Sequence, residues 1–236
     1  MRVISSDDVA TIEDEHQSRR VRITNFCGVR GQAVPGPQIF LVDYPGEAGI
    51  AVRPHFHSVD QFQVFWRGDR VGKHKVRPHT VHYADAYTPY GPIVDAGDGV
   101  TYLTVRARPD SGPKYMPESR SQRPAGAGGR QLTALGDLQA LEVAEDGTAW
   151  LLGPFSDGLA VRLARLGAGQ QLPAAQPVGD GTVYLLLEGA LDGPGQRVTH
   201  RATTVVTVGP GEAVPGVRAA REGAVILGLS FPQPRP

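Results

Sequence analysis

Five of the seven histidines fall between positions 55 and 82, and two of them make the pair His55-Phe56-His57. Imidazole both ligates first-row metals and exchanges protons near neutral pH, so chemistry is expected where it clusters. The pair stands in a longer frame: Gly49, five residues, His55, one residue, His57, three residues, Gln61, six residues, Gly68. In an extended chain residues i and i+2 share a face, which points both imidazoles into one space with Cα atoms about 7 Å apart. One divalent ion suits that space, held at about 2.0–2.1 Å by imidazole nitrogens. Gln61, on the returning strand, offers a neutral amide oxygen where a carboxylate would offset the ion's charge. Gln63 shares the face of Gln61 and is expected to bind substrate in a polar pocket.

A fourth donor has to come from elsewhere, and His82 is the candidate. His82, Ala84, Ala86 and Thr88 share one face of a strand, while Tyr83, Asp85 and Tyr87 share the other. The sequence leaves open which face looks inward, so Asp85 is the alternative. Tyr87 and Tyr90 can donate a phenolic proton, Trp66 can stack a flat substrate, and Arg106, on the face of Tyr102 and Thr104, can bind a carboxylate. His74 and His79 lie in a charged, Pro-containing stretch and read as surface residues.

Strands must position these side chains. Pro37–Tyr44, Phe62–Trp66 and Thr101–Arg106 are rich in β-branched and aromatic residues, and Pro45-Gly46 and Gly68-Asp69 close the first two. With 30 Gly and 20 Pro to supply turns, the pattern predicts an all-β antiparallel sandwich or barrel. The charged residues 8–20 are expected as a short helix or a loose arm. Residues 107–129 have linker composition, with Tyr115-Met116-Pro117-Glu118-Ser119-Arg120 as a strap over the barrel. Strand signals resume at Thr148–Leu152, Leu159–Leu163, Val183–Leu187 and Thr203–Val208.

The frame from Gly49 to Gly68 resembles the first motif of the cupin superfamily, Gly-x5-His-x-His-x3-4-Glu-x6-Gly, with Gln61 replacing the Glu. The second motif, Gly-x5-Pro-x-Gly-x2-His-x3-Asn, has its nearest match from Tyr83 through Pro89 and Gly91 to Asp98, with Val94 at its histidine. The frame recurs without ligands at Gly169, Ala175, Pro177, Thr182 and Gly189, and Val214 follows the turn Pro210-Gly211. The resemblance implies a bicupin, two double-stranded β-helix (jelly-roll) barrels in tandem. Its parts are an arm over 1–29, a barrel over 30–110, a linker and strap over 111–144, and a degenerate barrel over 145–236. It also implies a divalent ion (Fe, Mn, Ni, Co or Zn) on His55, His57, Gln61 and His82, acting on a small oxygenated organic molecule. The incomplete ligand set turns the expected reaction toward isomerisation, dehydration or cyclisation. The alternatives are a metal-free binding module and a cupin dioxygenase. Exposed sheet edges need covering, which makes a homodimer an expectation.

Lys plus Arg equals Asp plus Glu at 24 each, so no basic footprint for nucleic acid or an anionic membrane appears. No run approaches the roughly 18 apolar residues of a membrane span, and Met1–Asp8 lacks the apolar core of a signal peptide. Cys27 is the only cysteine, which excludes an intrachain disulfide and reads as a small buried hydrophobe. The expectation is a soluble cytoplasmic protein whose partner is a small molecule.

Overall fold

Two of the expected strands define the site's architecture. Gln38–Tyr44 and Val100–Arg106 are rich in β-branched and aromatic side chains, which suit a pleated surface, and nearly all of their residues are buried. In the computed structural model they run antiparallel, from Val100 opposite Tyr44 to Arg106 opposite Gln38. The structure describes residues 2–32, 34–134, 141–193, 196–199, 203–212 and 216–234. Apart from two short 3-10 turns, Ser6–Asp8 and Arg120–Gln122, the regular structure among these residues is all β. The chain divides into two compact units, Ala10–Leu138 and a second made of Met1–Val9 with Gln139–Pro236.

In the first unit a seven-stranded antiparallel sheet runs in the order Gln131–Ala134, Thr80–Ala84, Gln61–Arg67, Val100–Arg106, Gln38–Tyr44, Arg19–Cys27, Thr11–His16. A four-stranded sheet holds Gly49–Val52, Ile93–Asp95, Arg70–Val71 and His74–Lys75. One apolar cluster joins them, with Phe40, Val42, Phe65 and Tyr102 from the larger sheet meeting Ala51, Val52, Val71 and Ile93 from the smaller. Each such side chain, fully buried, stabilises the unit by about 1.5–3 kcal/mol. Residues directly opposite each other share a face, so register sorts the inner face into rows. Phe40, Thr104, Gln63, His82 and Thr133 form one row across five strands. Ala84 stands opposite Gln61 in the next, and Gln38 opposite Arg106.

Of residues 8–20, expected as a helix or arm, Asp8 ends the 3-10 turn, and from Thr11 on the chain belongs to this sheet instead. Thr11–His16 and Arg19–Cys27 form a hairpin turning on Gln17 and Ser18, whose φ values are 54° and 62°. The charges that suggested an exposed arm are cross-strand partners, with Glu13 opposite Arg22 and Glu15 opposite Arg20, an arrangement that favours pairing. The expected linker also contributes. Lys114–Tyr115 pairs with His55–Phe56, and Gln131–Ala134 is the edge strand of the larger sheet. The first compact unit therefore takes in more chain than the expected 30–110.

The second unit is built on two long antiparallel strands, Thr182–Gly193 and Arg218–Ser230. Its sheet order is Arg2–Ser5, Thr204–Val208, Thr182–Gly193, Arg218–Ser230, Ala160–Leu166, Thr148–Leu152, and Gln196–Thr199 pairs with Thr182–Gly193. Ala175, which stands at the first motif histidine, is buried among Leu172, Tyr184, Leu186, Val206 and Ile226. The one polar side-chain atom among those five neighbours, the Tyr184 hydroxyl, donates to the Pro173 carbonyl. Val214 lies outside the described residues. No helix among the described residues is long and apolar enough to cross a membrane.

Candidate functional site

His55 and His57 are brought together as their spacing predicts. Both are buried, and their rings lie 5.1 Å apart at an interplanar angle of 87°. His55 Nδ1 is 2.7 Å from the Arg53 carbonyl. A carbonyl only accepts, so Nδ1 carries the proton and Nε2 is left to accept. His57 Nδ1 donates to Asp110 Oδ2 at 2.7 Å, which fixes the same tautomer. Burial pulls the His55 pKa down to about 4, against the hydrogen bond to Arg53 and with help from the Arg106 charge. Burial, then Arg106, holds His57 well below its usual value despite the Asp110 bond. Both rings are therefore neutral at pH 7. Burial would raise the Asp110 pKa, but His57, Arg106 and Ser58 outweigh it and keep the carboxylate ionised well into acid. Asp110 also accepts from Ser58 N, Ser58 Oγ and Gly112 N at 3.1, 2.8 and 2.8 Å.

Arg106, 3% exposed, occupies the space beside the pair. Its Nε donates to Gln61 Oε1 at 2.8 Å, its Nη1 to Gln38 Oε1 at 2.5 Å, and its Nη2 lies 3.2 Å from His57 Nε2. The guanidinium is 3.6 Å from Asp110 and lies over the Phe40 ring, 5.4 Å from its centroid. Gln61 Nε2 donates to the Tyr90 hydroxyl at 2.5 Å, and Tyr90 donates to His55 Nε2 at 2.9 Å. The result is a directed chain from Arg106 through Gln61 and Tyr90 to His55 and the Arg53 carbonyl. Gly91 lets the chain bring Tyr90 there. Its φ is +99°, and a Cβ would stand 3.3 Å from Pro54 Cα.

The ion implied by the motif would need His55 Nε2, His57 Nε2 and Gln61 Oε1. All three already accept hydrogen bonds, one from Tyr90 and two from Arg106. The guanidinium is itself the cation that Asp110 balances, and a further two positive charges beside it would have no second carboxylate to offset them. Among the described residues no group of three or more His, Cys, Asp or Glu is placed to hold an ion. With Arg106 in this position, the donor set does not fit a resident divalent metal.

The remaining candidates separate. His82 and Ala84 face inward, which answers the question of the strand's face. His82 nevertheless stands one row beyond Gln61; its Nε2 is 3.2 Å from the Gln131 side-chain nitrogen, and its ring centroid is 4.9 Å from that of Tyr90. Asp85 is paired with Arg130 at 3.1 Å and accepts from Tyr83 at 2.7 Å. Val94, in the smaller sheet, supplies no donor. Gln63, Tyr90 and Arg106 line a small cavity of about 40 Å³. Tyr87 and Trp66 do not line it. Tyr87, at φ 60°, packs on Phe56 with ring centroids 6.1 Å apart and donates its N–H to the His57 carbonyl at 2.7 Å, so it positions backbone.

Sequence reasoning missed Asp110, Gln38 and a cluster at the pocket wall. His16 Nδ1 is 2.6 Å from the Tyr44 hydroxyl, and His16 Nε2 is bonded to the Tyr115 hydroxyl. Burial, then Arg30, lowers the His16 pKa to about 4. Asp110 sits in Pro109-Asp110-Ser111-Gly112, where its carboxylate also accepts from Gly112 N. That turn chemistry reads in sequence as linker. Gln38 had a usable signal, a polar residue at the end of an otherwise apolar inward face.

Neither a protein-family profile nor any curated protein sequence matches the chain. Solved structures do share its fold. A candidate dioxygenase from Nostoc punctiforme superposes with a TM-score of 0.66 at 13% identity, covering 98% of this chain and 82% of that one. Nickel-bound pirin YhhW from Escherichia coli gives 0.57 at 10% identity, with 99% of each chain covered. A cupin 2 conserved barrel domain protein from Leptotrichia buccalis gives 0.50 at 13% identity, covering 93% and 91%. The chain thus has the all-β, jelly-roll fold of the cupins.

Proposed function

We propose that the unit Ala10–Leu138 binds a small oxygenated organic molecule and rearranges it by proton transfer, as an isomerase, dehydratase or cyclase, without a resident metal. The second, apolar unit is read as its ligand-free tandem partner. The carrying observation is Arg106, hydrogen-bonded to His57 and Gln61 where an ion would be held. Arg106 has five N–H donors: three are engaged by Gln61, Gln38 and His57, Nη1 also stands 3.6 Å from Asp110, and the second N–H of Nη2 is left for a ligand oxygen. Tyr90 and His55 place a donor and an acceptor side by side at 2.9 Å. Burial raises the Tyr90 pKa far above its usual value, so the phenol stays protonated and can donate a hydrogen bond to a ligand oxygen. Neutral His55 is the matching base. Moving a proton from carbon to a neighbouring carbonyl oxygen requires such a pair, with a fixed positive charge to stabilise the oxyanion.

The competing reading is a divalent ion of the kind the motif implies. It is favoured by the two histidine tautomers, which keep the Nε2 atoms unprotonated, and by nickel in the pirin neighbour. Elemental mass spectrometry on tag-free protein decides between them. The expected result is far less than one ion per chain in the wild type, and uptake of added Ni or Co by Arg106→Met, which removes the resident cation. Near one ion per wild-type chain, lost in His55→Ala/His57→Ala, would overturn the metal-free reading.

A further inference from the structure

Three buried side-chain atoms among the described residues lack a hydrogen-bond partner: Gln63 Oε1, His82 Nδ1 and Thr133 Oγ1. They are not scattered. Gln63 stands directly opposite His82, and His82 directly opposite Thr133, on three adjacent strands. Side chains so paired share a face, with Cβ atoms about 4.5–5.5 Å apart. Gln63 and His82 are 2% and 1% exposed, so bulk water does not satisfy them. Buried polar atoms are nearly always paired, and three orphans in one register row mark a slot built for a polar occupant.

The chemistry of the row identifies that occupant. The Gln131 amide nitrogen, 3.2 Å from His82 Nε2, can only donate, so Nε2 accepts and Nδ1 carries the proton. Gln63 Oε1 only accepts, and Thr133 Oγ1 does both. A single group that meets the row must accept from His82 and donate to Gln63. A carboxylate cannot donate and an ammonium cannot accept; a hydroxyl does both. Of the row, Gln63 lines the pocket, and the Tyr90 ring lies against His82, so the row adjoins the pocket wall beside the Tyr90–His55 pair.

We propose that Gln63, His82 and Thr133 form the subsite for a hydroxyl group of the pocket's ligand, which makes that ligand a hydroxylated carbonyl or carboxyl compound. This rests on the small-molecule reading of the pocket. The row supplies discrimination, while Arg106 takes the neighbouring oxygen with its remaining Nη2 N–H. A trapped water shares the hydroxyl's chemistry, and the test separates the two.

The probes are lactate and propionate, which differ by one hydroxyl, titrated into the full chain labelled with 15N-histidine and followed by NMR. The expected result is a shift of the His82 Nδ1–H signal with lactate, at about tenfold or more higher affinity than propionate. The response should disappear in Gln63→Leu/Thr133→Val, whose ligand-free melting temperature should not fall, because orphaned atoms have been removed. A lower melting temperature in that variant with no lactate response would assign the row to permanent water and overturn the proposal. Equal shifts from both acids at His55, with none at His82, would sink the hydroxyl subsite alone and leave the pocket reading intact. Silence from both probes at every histidine would sink both.

Discussion

A guanidinium and a carboxylate buried together dominate the site's energetics, and their partners are unequal. Asp110 is held by His57, Ser58 and Gly112 as well as by Arg106, whereas Arg106 otherwise rests on two neutral amides and a neutral imidazole. Breaking a buried ion pair from one side strands the other charge and costs about 3–5 kcal/mol. Asp110→Ala should therefore lose that much in urea unfolding, and Arg106→Met distinctly less, since the remaining partners keep Asp110 solvated. Equal losses would mean that the two charges do not act as a pair. Tyr90→Phe tests the next link. It leaves Gln61 Nε2 and His55 Nε2 without their shared partner, and should cost about 1–3 kcal/mol with no change in packing volume. A neutral outcome would show that the directed chain from Arg106 to His55 does not hold the resting site.

Elements explain what the sequence could and could not announce. The turn Gln17-Ser18 has both residues in the left-handed region, the geometry that two-residue hairpins favour and that glycine adopts freely. Ser18→Gly should accordingly stabilise the protein by up to about 1 kcal/mol in thermal unfolding; destabilisation would mean that the hairpin does not form as described. This hairpin was hidden because its strands carry charge in place of apolar alternation, and the compensating charges lie across the turn. Strands such as Gln38–Tyr44 and Val100–Arg106 were legible because β-branched and aromatic residues crowd them. The inward face of Thr80–Ala84 was not, because all five residues are buried and hydropathy does not alternate. The histidine pair was legible as a spacing, a local property. Arg106 meets Gln61 and Gln38 from 45 and 68 positions away, and no local pattern carries such a contact. That is why the sequence suggested a metal site and the structure places a guanidinium there.

Taken over the whole molecule, three buried histidines and the half-buried His16, among the described residues, make stability a function of proton uptake. His16 and His55 have pKa values lowered to about 4, His82 to about 3, and His57 is well below normal, with burial the leading cause in each. Unfolded, each would titrate near about 6.5. Below that pH the unfolded chain binds protons that the folded chain refuses, so stability is complete above about pH 6.5 and declines as pH falls toward about 4. The limiting slope is about 1.4 kcal/mol per pH unit for each histidine, and a typical total stability is about 5–15 kcal/mol. The fold should therefore weaken steeply in this window, before Asp110 begins to protonate. Thermal unfolding from pH 7.5 to 4.5 checks the slope, and His16→Gln should flatten it by about one proton. A resident metal would also give acid sensitivity, by loss of its ligands to protons, but it would add a chelator effect at neutral pH. With Arg106 as the site's cation, EDTA should leave the melting temperature unchanged at every pH, whereas a drop at pH 7.5 would show that an ion, and not the guanidinium, holds the barrel together.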